Sequence, residues 1–344
     1  MKISPFIVCC VLCGGGLLAE PLLLNHIQVI GTHNSYHVQP PDWIFETLGP
    51  IRDDVKAWDY THDPLDVQLD NGVRNFELDL HPFEDGFEVL HVPVVDAETT
   101  CLAFMDCLRT VQAWSERHPH HIPISFLLEF KLPEAYLDGR PLKPLDMSML
   151  RLLEDEILTV FPREQIITPD DLRGNAPTLT AAVREHGWPP VEEALGKVFF
   201  VLHNRTELRA AYTEEYPSLE GRVMFVNSAP DRDDCAFIVV DNPYSEQIPE
   251  LLAKNILIRV RSDSRLRQGR SGDTSRRDAS FERGAHIIST DFPAGRAHPD
   301  TGYVVKFPDR VPARCNPQFS PPDCQARLRK LLEAKQDRRV SDLD

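Results

Sequence analysis

The chain has 344 residues, of which 42% are hydrophobic, which is enough for a sizeable core. It carries 37 Lys and Arg against 53 Asp and Glu, a formal net charge of −16. This negative charge argues against a nucleic-acid partner, because neutralising the phosphate backbone requires a basic surface. It also argues against strong adsorption of the whole protein to an anionic membrane through its overall field.

The first 19 residues have the pattern of a secretion signal. Lys2 is a short basic start, residues 3–19 are apolar with small residues, and Leu17-Leu18-Ala19 before Glu20 forms a plausible cleavage site. The alternative is a membrane anchor, for which the apolar run is only about the minimum spanning length. We predict a signal peptide at residues 1–19 and a secreted mature chain.

Five cysteines follow the predicted signal, and an exported protein with close cysteine pairs is expected to form disulfides. The local pairs are Cys101 with Cys107 and Cys315 with Cys324. Cys235 then has no partner. The alternative is that all five are reduced packing residues.

Eight short apolar runs are bounded by turn signals, which is the pattern of buried parallel strands. The runs are residues 27–31, 74–80, 124–131, 198–202, 223–226, 237–240, 256–261 and 286–290. Helical spacing lies between several of them, at residues 100–118, 149–160 and 246–253. Strands that alternate with helices predict a parallel sheet, although periodicity alone does not distinguish a closed barrel from an open sheet.

Polar residues cluster at the carboxyl ends of several strands, which favours the barrel, because a barrel builds its active site there. The predicted fold is an α/β TIM-type (β/α)₈ barrel. No linker separates a second domain, so residues 20–344 are predicted to form one domain with a C-terminal extension from about residue 308. That extension contains one helical pattern, at residues 325–335.

Four oxygen-bearing residues stand on or beside the first three predicted strands. Glu77 and Asp79 are two apart on a strand and share one face, which we expect to be the barrel interior. Two inward carboxylates repel each other unless a cation or a proton lies between them. Glu129 adds a third carboxylate and Asn34 an amide, a set that suits a hard cation, and secretion favours Ca²⁺.

His33 and His91 flank this predicted ion site. Two imidazoles suit attack at phosphorus, because one accepts the proton of the nucleophile and the other protonates the leaving oxygen. Seven other histidines have no supporting pattern and are interpreted as structural: His26, His37, His62, His186, His203, His286 and His298.

The order His33-Asn34, Glu77-x-Asp79, His91 and Glu129 resembles the X-type half barrel of calcium-dependent phosphoinositide-specific phospholipases C. The wider chain resembles the small secreted microbial branch of calcium-dependent phosphatidylinositol-specific enzymes. The resemblance extends through residues 30–36, 72–79, 114–131, 196–202, 259–263, 273–279 and 289–293.

The resemblance implies a TIM-type barrel and an activity. In the resembling enzymes the inositol 2-hydroxyl attacks phosphorus, diacylglycerol leaves and a cyclic inositol phosphate forms. The matching positions imply that His33 and His91 are catalytic and that Ca²⁺ is bound by Asn34, Glu77, Asp79 and Glu129. Metal-independent bacterial relatives carry an acid after the first histidine, whereas this chain has Asn34.

Four further positions are candidates near the phosphate. Lys131 shares a face with Glu129, and Arg259 shares a face with Arg261, so each can hold a phosphate oxygen. Asp291, at the end of the eighth strand, can orient a catalytic histidine. The alternative for Lys131 and Asp291 is an internal ion pair that balances the carboxylates.

Other functions remain open at this stage. A glycerophosphodiester phosphodiesterase also uses a barrel and a Glu-x-Asp pair, although Arg usually follows its first histidine; a sphingomyelinase-D-like enzyme is a variant of that alternative. A barrel that binds inositol phosphate without turnover is a third possibility, disfavoured because both histidines are present. The expected partner is a phospholipid at a membrane surface, bound transiently, with no nucleic acid and no obligate protein partner inferred.

Overall fold

The computed structural model describes residues 20–83, 86–131, 145–205 and 207–333. The predicted signal peptide, residues 1–19, lies outside the described residues.

One ten-stranded sheet organises the protein. Its strands are β1 Ile27–Thr32, β2 Val73–Phe83, β3 Gly86–Val89, β4 Ile124–Phe130, β5 Val198–Leu202, β6 Phe225–Val226, β7 Phe237–Val239, β8 Leu257–Arg261, β9 Ile287–Thr290 and β10 Arg314–Cys315. Eight of them pair in parallel in the order β6-β5-β4-β2-β1-β9-β8-β7. The barrel has one seam, where a single bridge between Asn227 and Phe237 joins the β6 and β7 edges. The predicted TIM-type barrel is confirmed.

Twelve α-helices lie in the described parts of the chain and cover the outside of the sheet or its ends. They are α1 Asp42–Leu48, α2 Leu65–Asp70, α3 Phe104–Arg117, α4 Met147–Val160, α5 Pro169–Arg173, α6 Leu179–His186, α7 Val191–Ala194, α8 Glu207–Thr213, α9 Ile248–Ala253, α10 Arg267–Ser271, α11 Ser275–Glu282 and α12 Cys324–Glu333. Short 3₁₀ helices occupy Leu24–His26, Asp53–Trp58, Arg163–Gln165 and Pro308–Arg310. Among the described residues, no helix combines the length and apolar character that crossing a bilayer requires.

All eight predicted strands are present, with shifts at their ends. The largest change is in β2, which continues to Phe83 and pairs antiparallel with β3, a strand that is not among the eight predicted runs. The run predicted at residues 223–226 is shorter, because only Phe225 and Val226 form β6.

A row of aromatic side chains shows which face of the sheet the helices cover. Phe76, Phe126 and Phe200 lie opposite one another on β2, β4 and β5. The rings of Phe126 and Phe200 stack at 4.8 Å, and Phe161, directly after α4, lies 6.3 Å from Phe126. Because side chains alternate along a strand, Glu77 is directed to the barrel interior, as predicted.

An irregularity between β1 and β2 shapes the barrel beside the site. Ile30 pairs with Val73 but Gly31 pairs with Asn75, so Arg74 is an extra residue on β2. A Cβ atom on Gly31 would lie 2.6 Å from the side-chain oxygen of Asn75, so only glycine fits there.

The C-terminal extension is anchored to the barrel. β10 pairs antiparallel with the first two residues of β1, which precede the residues that pair with β2 and β9. The Cys315–Cys324 disulfide links β10 to α12. The Cys101–Cys107 disulfide links the segment before α3 to the first turn of that helix. Cys235 is buried and free. The two predicted disulfides are confirmed, and such bonds are typical of extracellular proteins.

The buried ring of His286 predicts an acid-sensitive fold. Its Nδ1 accepts from the Ile258 amide and its Nε2 donates to the Asn25 carbonyl, and burial lowers its pKa to about 3. The unfolded chain has a histidine pKa of about 6.5 and binds more protons between these values, so stability is lost as pH falls through this window. Chemical unfolding at pH 7, 6, 5 and 4.5 is expected to show this decline.

A His286→Gln variant is expected to show a shallower decline with pH than the native chain, whatever its stability at pH 7. The control is His186→Gln, because the His186 side chain is 68% exposed. Equal slopes for the native chain and His286→Gln would contradict the assignment.

Candidate active site

The carboxyl ends of the parallel strands surround a cleft of about 410 Å³. Its walls come from the end of β1, from the segment around the 3₁₀ helix Asp53–Trp58, from the loop after β3, and from the ends of β8 and β9. The lining residues are His33, Asn34, Arg52, Asp54, Ala57, Trp58, Tyr60, His91, Val92, Arg261, Ser264, Arg265 and Asp291. Both predicted catalytic histidines therefore face one cleft.

His33 follows β1 and is held by an aspartate at the end of β9. Its Nδ1 lies 2.9 Å from Asp291 Oδ1, while the other oxygen of Asp291 accepts from Arg261 at 2.8 Å. Burial and the nearby guanidinium of Arg261 hold the pKa of His33 well below its usual value. With Nδ1–H directed at Asp291, the neutral ring presents Nε2 as a proton acceptor.

His91 has an equivalent partner that sequence reasoning missed. Its Nδ1 lies 2.6 Å from Asp96 Oδ2, and Asp96 Oδ1 lies 2.9 Å from Nε2 of His37. His37 is fully buried, and its Nδ1 lies 3.0 Å from the Tyr60 carbonyl oxygen. Burial alone would raise the pKa of Asp96, but the hydrogen bonds from His37 and His91 lower it. The interpretation of His37 as an unremarkable structural residue was therefore incomplete.

The four predicted calcium ligands lie at the end of the barrel interior. The Asn34 side-chain oxygen and both Asp79 oxygens are buried and accept no hydrogen bond from the described residues. Asn34 has a φ of 44°, a left-handed conformation that asparagine tolerates better than most residues. Buried oxygens that accept no hydrogen bond are costly unless a cation lies beside them, and Lys131 contacts only one oxygen of Asp79, so this set fits Ca²⁺.

Cationic side chains already contact the carboxylates. Lys131 Nζ lies 2.8 Å from Glu129 and 3.3 Å from Asp79, and Arg259 pairs with Glu77. Burial raises the pKa of Asp79 to about 6, although Lys131 opposes this. The alternative in which Lys131 and Asp291 form internal ion pairs describes this structure, since Lys131 contacts Asp79 and Glu129, and Asp291 contacts Arg261.

The two arginines of β8 have different surroundings. Arg259 is almost fully buried and contacts Glu77, Asp241 and the Ser289 hydroxyl, whereas Arg261 lines the cleft. Phosphate binding by either stays a prediction, and these contacts favour Arg261 for it and a role as counter-charge for Arg259.

His203 is a second histidine that the sequence patterns did not single out. Its ring and the carboxylates of Glu77 and Glu129 place potential ligand atoms within 4.8 Å of one another. The available signal was its position, directly after β5, because residues at that point of a barrel strand face the site.

Comparison with protein families identifies the group. The profile described as "Phosphoinositide phospholipase C, Ca2+-dependent" matches residues 22–86 and 82–317. The chain belongs to this family. The match covers the barrel from β1 to β10 and includes every predicted site residue.

Solved structures share the fold at low sequence identity. A calcium-dependent phosphoinositol-specific phospholipase C from Pseudomonas sp. is 15% identical, with a TM-score of 0.55 over 86% of this chain and 95% of that one. A Ca²⁺-dependent phosphatidylinositol-specific phospholipase C from Streptomyces antibioticus is 18% identical, with a TM-score of 0.56 over 78% of this chain and 95% of that one. No curated protein sequence matches the chain.

Family membership supports the expected activity and cofactor. The protein is a calcium-dependent phosphoinositide phospholipase C, a phosphodiesterase that acts on phosphatidylinositol. This supports the main functional prediction over the glycerophosphodiesterase and binding-protein alternatives.

The buried oxygens predict which substitutions weaken calcium binding. Asp79→Asn and Glu77→Gln each remove one negative charge from the set, so each is expected to lower Ca²⁺ affinity at least about tenfold in calorimetric titration. Asp79→Asn is the cleaner variant, because Glu77→Gln also leaves the buried Arg259 without its carboxylate.

Asp54→Asn is the matched control, since Asp54 lines the same cleft but is 45% exposed and pairs with Arg52. Its calcium affinity is expected to equal that of the native chain. Unchanged affinity in Asp79→Asn would remove Asp79 from the site.

Proposed function

We propose that the protein cleaves the glycerol–phosphate bond of phosphatidylinositol by attack of the inositol 2-hydroxyl on phosphorus. The products are diacylglycerol and inositol 1,2-cyclic phosphate. The observation that carries the proposal is the pair of histidines on one cleft, each bound through Nδ1 to an aspartate, beside a cluster of buried oxygen ligands.

His33 is the general base. Its lowered pKa keeps the ring neutral at pH 7, and Asp291 fixes the tautomer in which Nε2 accepts a proton. The 2-hydroxyl proton passes to Nε2 as its oxygen forms a bond to phosphorus. Asp291 then stabilises the imidazolium, and Arg261 holds Asp291 in position.

His91 is the general acid. As the bond from phosphorus to the glycerol oxygen breaks, the ring donates its Nε2 proton to that oxygen, so diacylglycerol leaves as a neutral alcohol. Asp96 accepts from Nδ1 and stabilises the protonated ring before transfer. His37 holds Asp96 from its other side, so the carboxylate cannot rotate away from His91.

Asn34, Glu77, Asp79 and Glu129 would hold Ca²⁺, with His203 adjacent to two of them. The ion supplies charge neutralisation of the phosphate and lowers the pKa of the attacking hydroxyl when bound. In this arrangement Lys131 and Arg259 adjust the net charge of the carboxylate cluster, and Arg261 faces the substrate side.

Secretion and action at a membrane surface are part of the proposal. The two disulfides and the signal pattern at residues 1–19 support an extracellular location. Three large apolar side chains that are close in sequence to cleft-lining segments are exposed: Trp43 on α1 (57%), Ile51 directly before Arg52 (75%) and Val94 two residues after Val92 (58%).

A small core of Ile44, Val55 and Trp58, separate from the barrel core, joins α1 to the cleft wall. Val92 and Val95 pack against this core, and the Trp58 ring lies 5.8 Å from that of His91. The rim therefore carries apolar side chains next to the catalytic cleft. This arrangement supports local, transient contact with lipid despite the negative net charge.

The proposed mechanism predicts how turnover depends on calcium and on the two histidines. Release of inositol phosphate from phosphatidylinositol vesicles is expected to stop with excess chelator and to return with calcium. His33→Ala and His91→Ala are each expected to reduce the rate at least about 100-fold while the fold is retained, because each removes a proton-transfer group. His186→Ala is the control.

Normal activity in either cleft variant would remove that histidine from the mechanism. Turnover of glycerophosphoinositol or glycerophosphocholine without turnover of the lipid would favour the glycerophosphodiesterase alternative instead.

The exposed apolar residues predict a loss of activity on vesicles when they are removed. Trp43→Ala combined with Ile51→Ala is expected to lower the rate on vesicles about tenfold, because partial burial of two such side chains contributes on the order of 1.4 kcal/mol or more. Hydrolysis of soluble inositol 1,2-cyclic phosphate is expected to be unchanged. Leu158→Ala, a 40% exposed residue of α4, is the control. Equal losses on both substrates would contradict a role in lipid contact.

A further inference from the structure

A larger cavity, of about 620 Å³, lies at the opposite end of the barrel. It is bounded by the start of β2, the end of α3, the loop before β4, residues 309–312 and the end of α12. Among the described residues, none lines both this cavity and the catalytic cleft. The larger cavity is therefore separate from the chemistry of the carboxyl-terminal end.

A buried arginine forms the inner wall of the cavity. Arg74, the extra residue of the β2 irregularity, is 6% exposed, and its Nη1 donates to the carbonyl oxygens of Leu69 and Val73 at 2.9 and 2.6 Å. Its Nε makes no hydrogen bond to any described residue. A buried guanidinium with few partners is costly, and because Arg74 lines the cavity, an anion bound there would lie near its positive charge.

Among the described residues, no carboxylate forms an ion pair with Arg74. Asp70 lines the cavity, but its Oδ1 accepts from the Trp114 indole at 2.7 Å. Burial lowers the pKa of Arg74 to about 9 despite the attraction of Asp70. The charge on Arg74 is thus held in an environment that lacks a full partner.

Two further arginines lie at the mouth of the cavity. Arg117, at the end of α3, and Arg310 are exposed, and His118 and His120 lie beside them. The acids in the lining are Asp70 and Asp309, so three arginines face two aspartates in a chain whose net charge is −16. Positive charge is concentrated here against the overall balance.

The aromatic wall restricts the kind of ligand. The Trp114 ring is stacked with His118 at 4.0 Å, and the guanidinium of Arg74 lies 5.0 Å from the ring centre. These contacts already use the ring, so recognition would depend on charge and hydrogen bonds rather than on stacking. Arginine forks match the oxygens of a phosphate group.

We propose that this cavity is a binding site for a small phosphate-bearing anion, with Arg74 at its base and Arg117 and Arg310 at its mouth. The shared chemistry is a phosphate group, from a soluble phosphate or from a lipid headgroup. The proposal does not depend on the catalytic mechanism, because the two cavities share no described lining residue.

Tryptophan positions allow a test that separates the two sites. The chain has four tryptophans, of which Trp114 lines this cavity and Trp58 lines the catalytic cleft. In the full chain labelled with 5-fluorotryptophan, each ¹⁹F resonance is assigned by a Trp→Phe variant. Inorganic phosphate is titrated without added calcium, glycerol phosphate is titrated with calcium, and phosphatidylglycerol vesicles form the lipid arm.

A saturable shift of the Trp114 resonance is expected. Arg74→Gln is expected to weaken the binding that this shift reports at least tenfold. Because Arg74 is buried and its variant can fail to fold, Arg117→Gln combined with Arg310→Gln is the second variant, with an expected loss of at least fivefold. Arg109→Gln is the control, since Arg109 lies on the same helix, is 60% exposed and pairs with Asp106.

A Trp114 shift with either soluble phosphate supports the site and a soluble ligand, and a shift with vesicles alone supports the site and a lipid source. A shift confined to Trp58, no shift at all, or unchanged affinity in the Arg117/Arg310 variant would overturn the proposal.

Discussion

The constraint on which the site depends is the concentration of negative charge inside the end of the barrel. Glu77 and Asp79 are buried on β2, and Glu129, which is 27% exposed, lies on the neighbouring strand β4. Isolated buried carboxylates would take up protons or destabilise the fold. Lys131 and Arg259 oppose part of this charge, and the unsatisfied oxygens that remain make the same place attractive to a divalent cation. Stability and cofactor binding therefore have one origin.

His33 and His91 are proposed to have opposite roles in proton transfer at the cleft. A general base and a general acid must hold opposite protonation states, although their rings are chemically identical. His33 lies near Arg261, which disfavours a second positive charge, whereas Asp96 beside His91 receives hydrogen bonds from two rings at once. In the proposed mechanism, the surroundings and not the residue type distinguish the two roles. Both aspartates also fix ring orientation, so little reorganisation is needed during proton transfer.

The part of this site that follows strand periodicity could be predicted from the sequence. Glu77 and Asp79 alternate with buried apolar residues, so their inward direction follows from the period of a strand, and His33 stands where a strand ends. The Asp96–His37 contact could not be predicted in this way, because it joins two loops whose paths depend on tertiary packing. The partners of Lys131 were uncertain for a similar reason, since one face of a barrel offers several acids at comparable distance.

The strand β2 connects the two ends of the barrel and shows how one element serves both. Its carboxyl half carries Glu77 and Asp79 inward, where alternation is regular. Its amino end contains the irregularity at Arg74, which offsets the register against β1 by one residue there and places a guanidinium between the sheet and α3. Without that extra residue, β2 would be shifted by one residue against β1. Glu77 and Asp79 would then face outward, because a one-residue slip exchanges the two faces of a strand. The same irregularity therefore sets the inward direction of Glu77 and Asp79 at one end of the barrel and places Arg74 at the other end. The close approach of Asn75 to Gly31 restricts any change of register here.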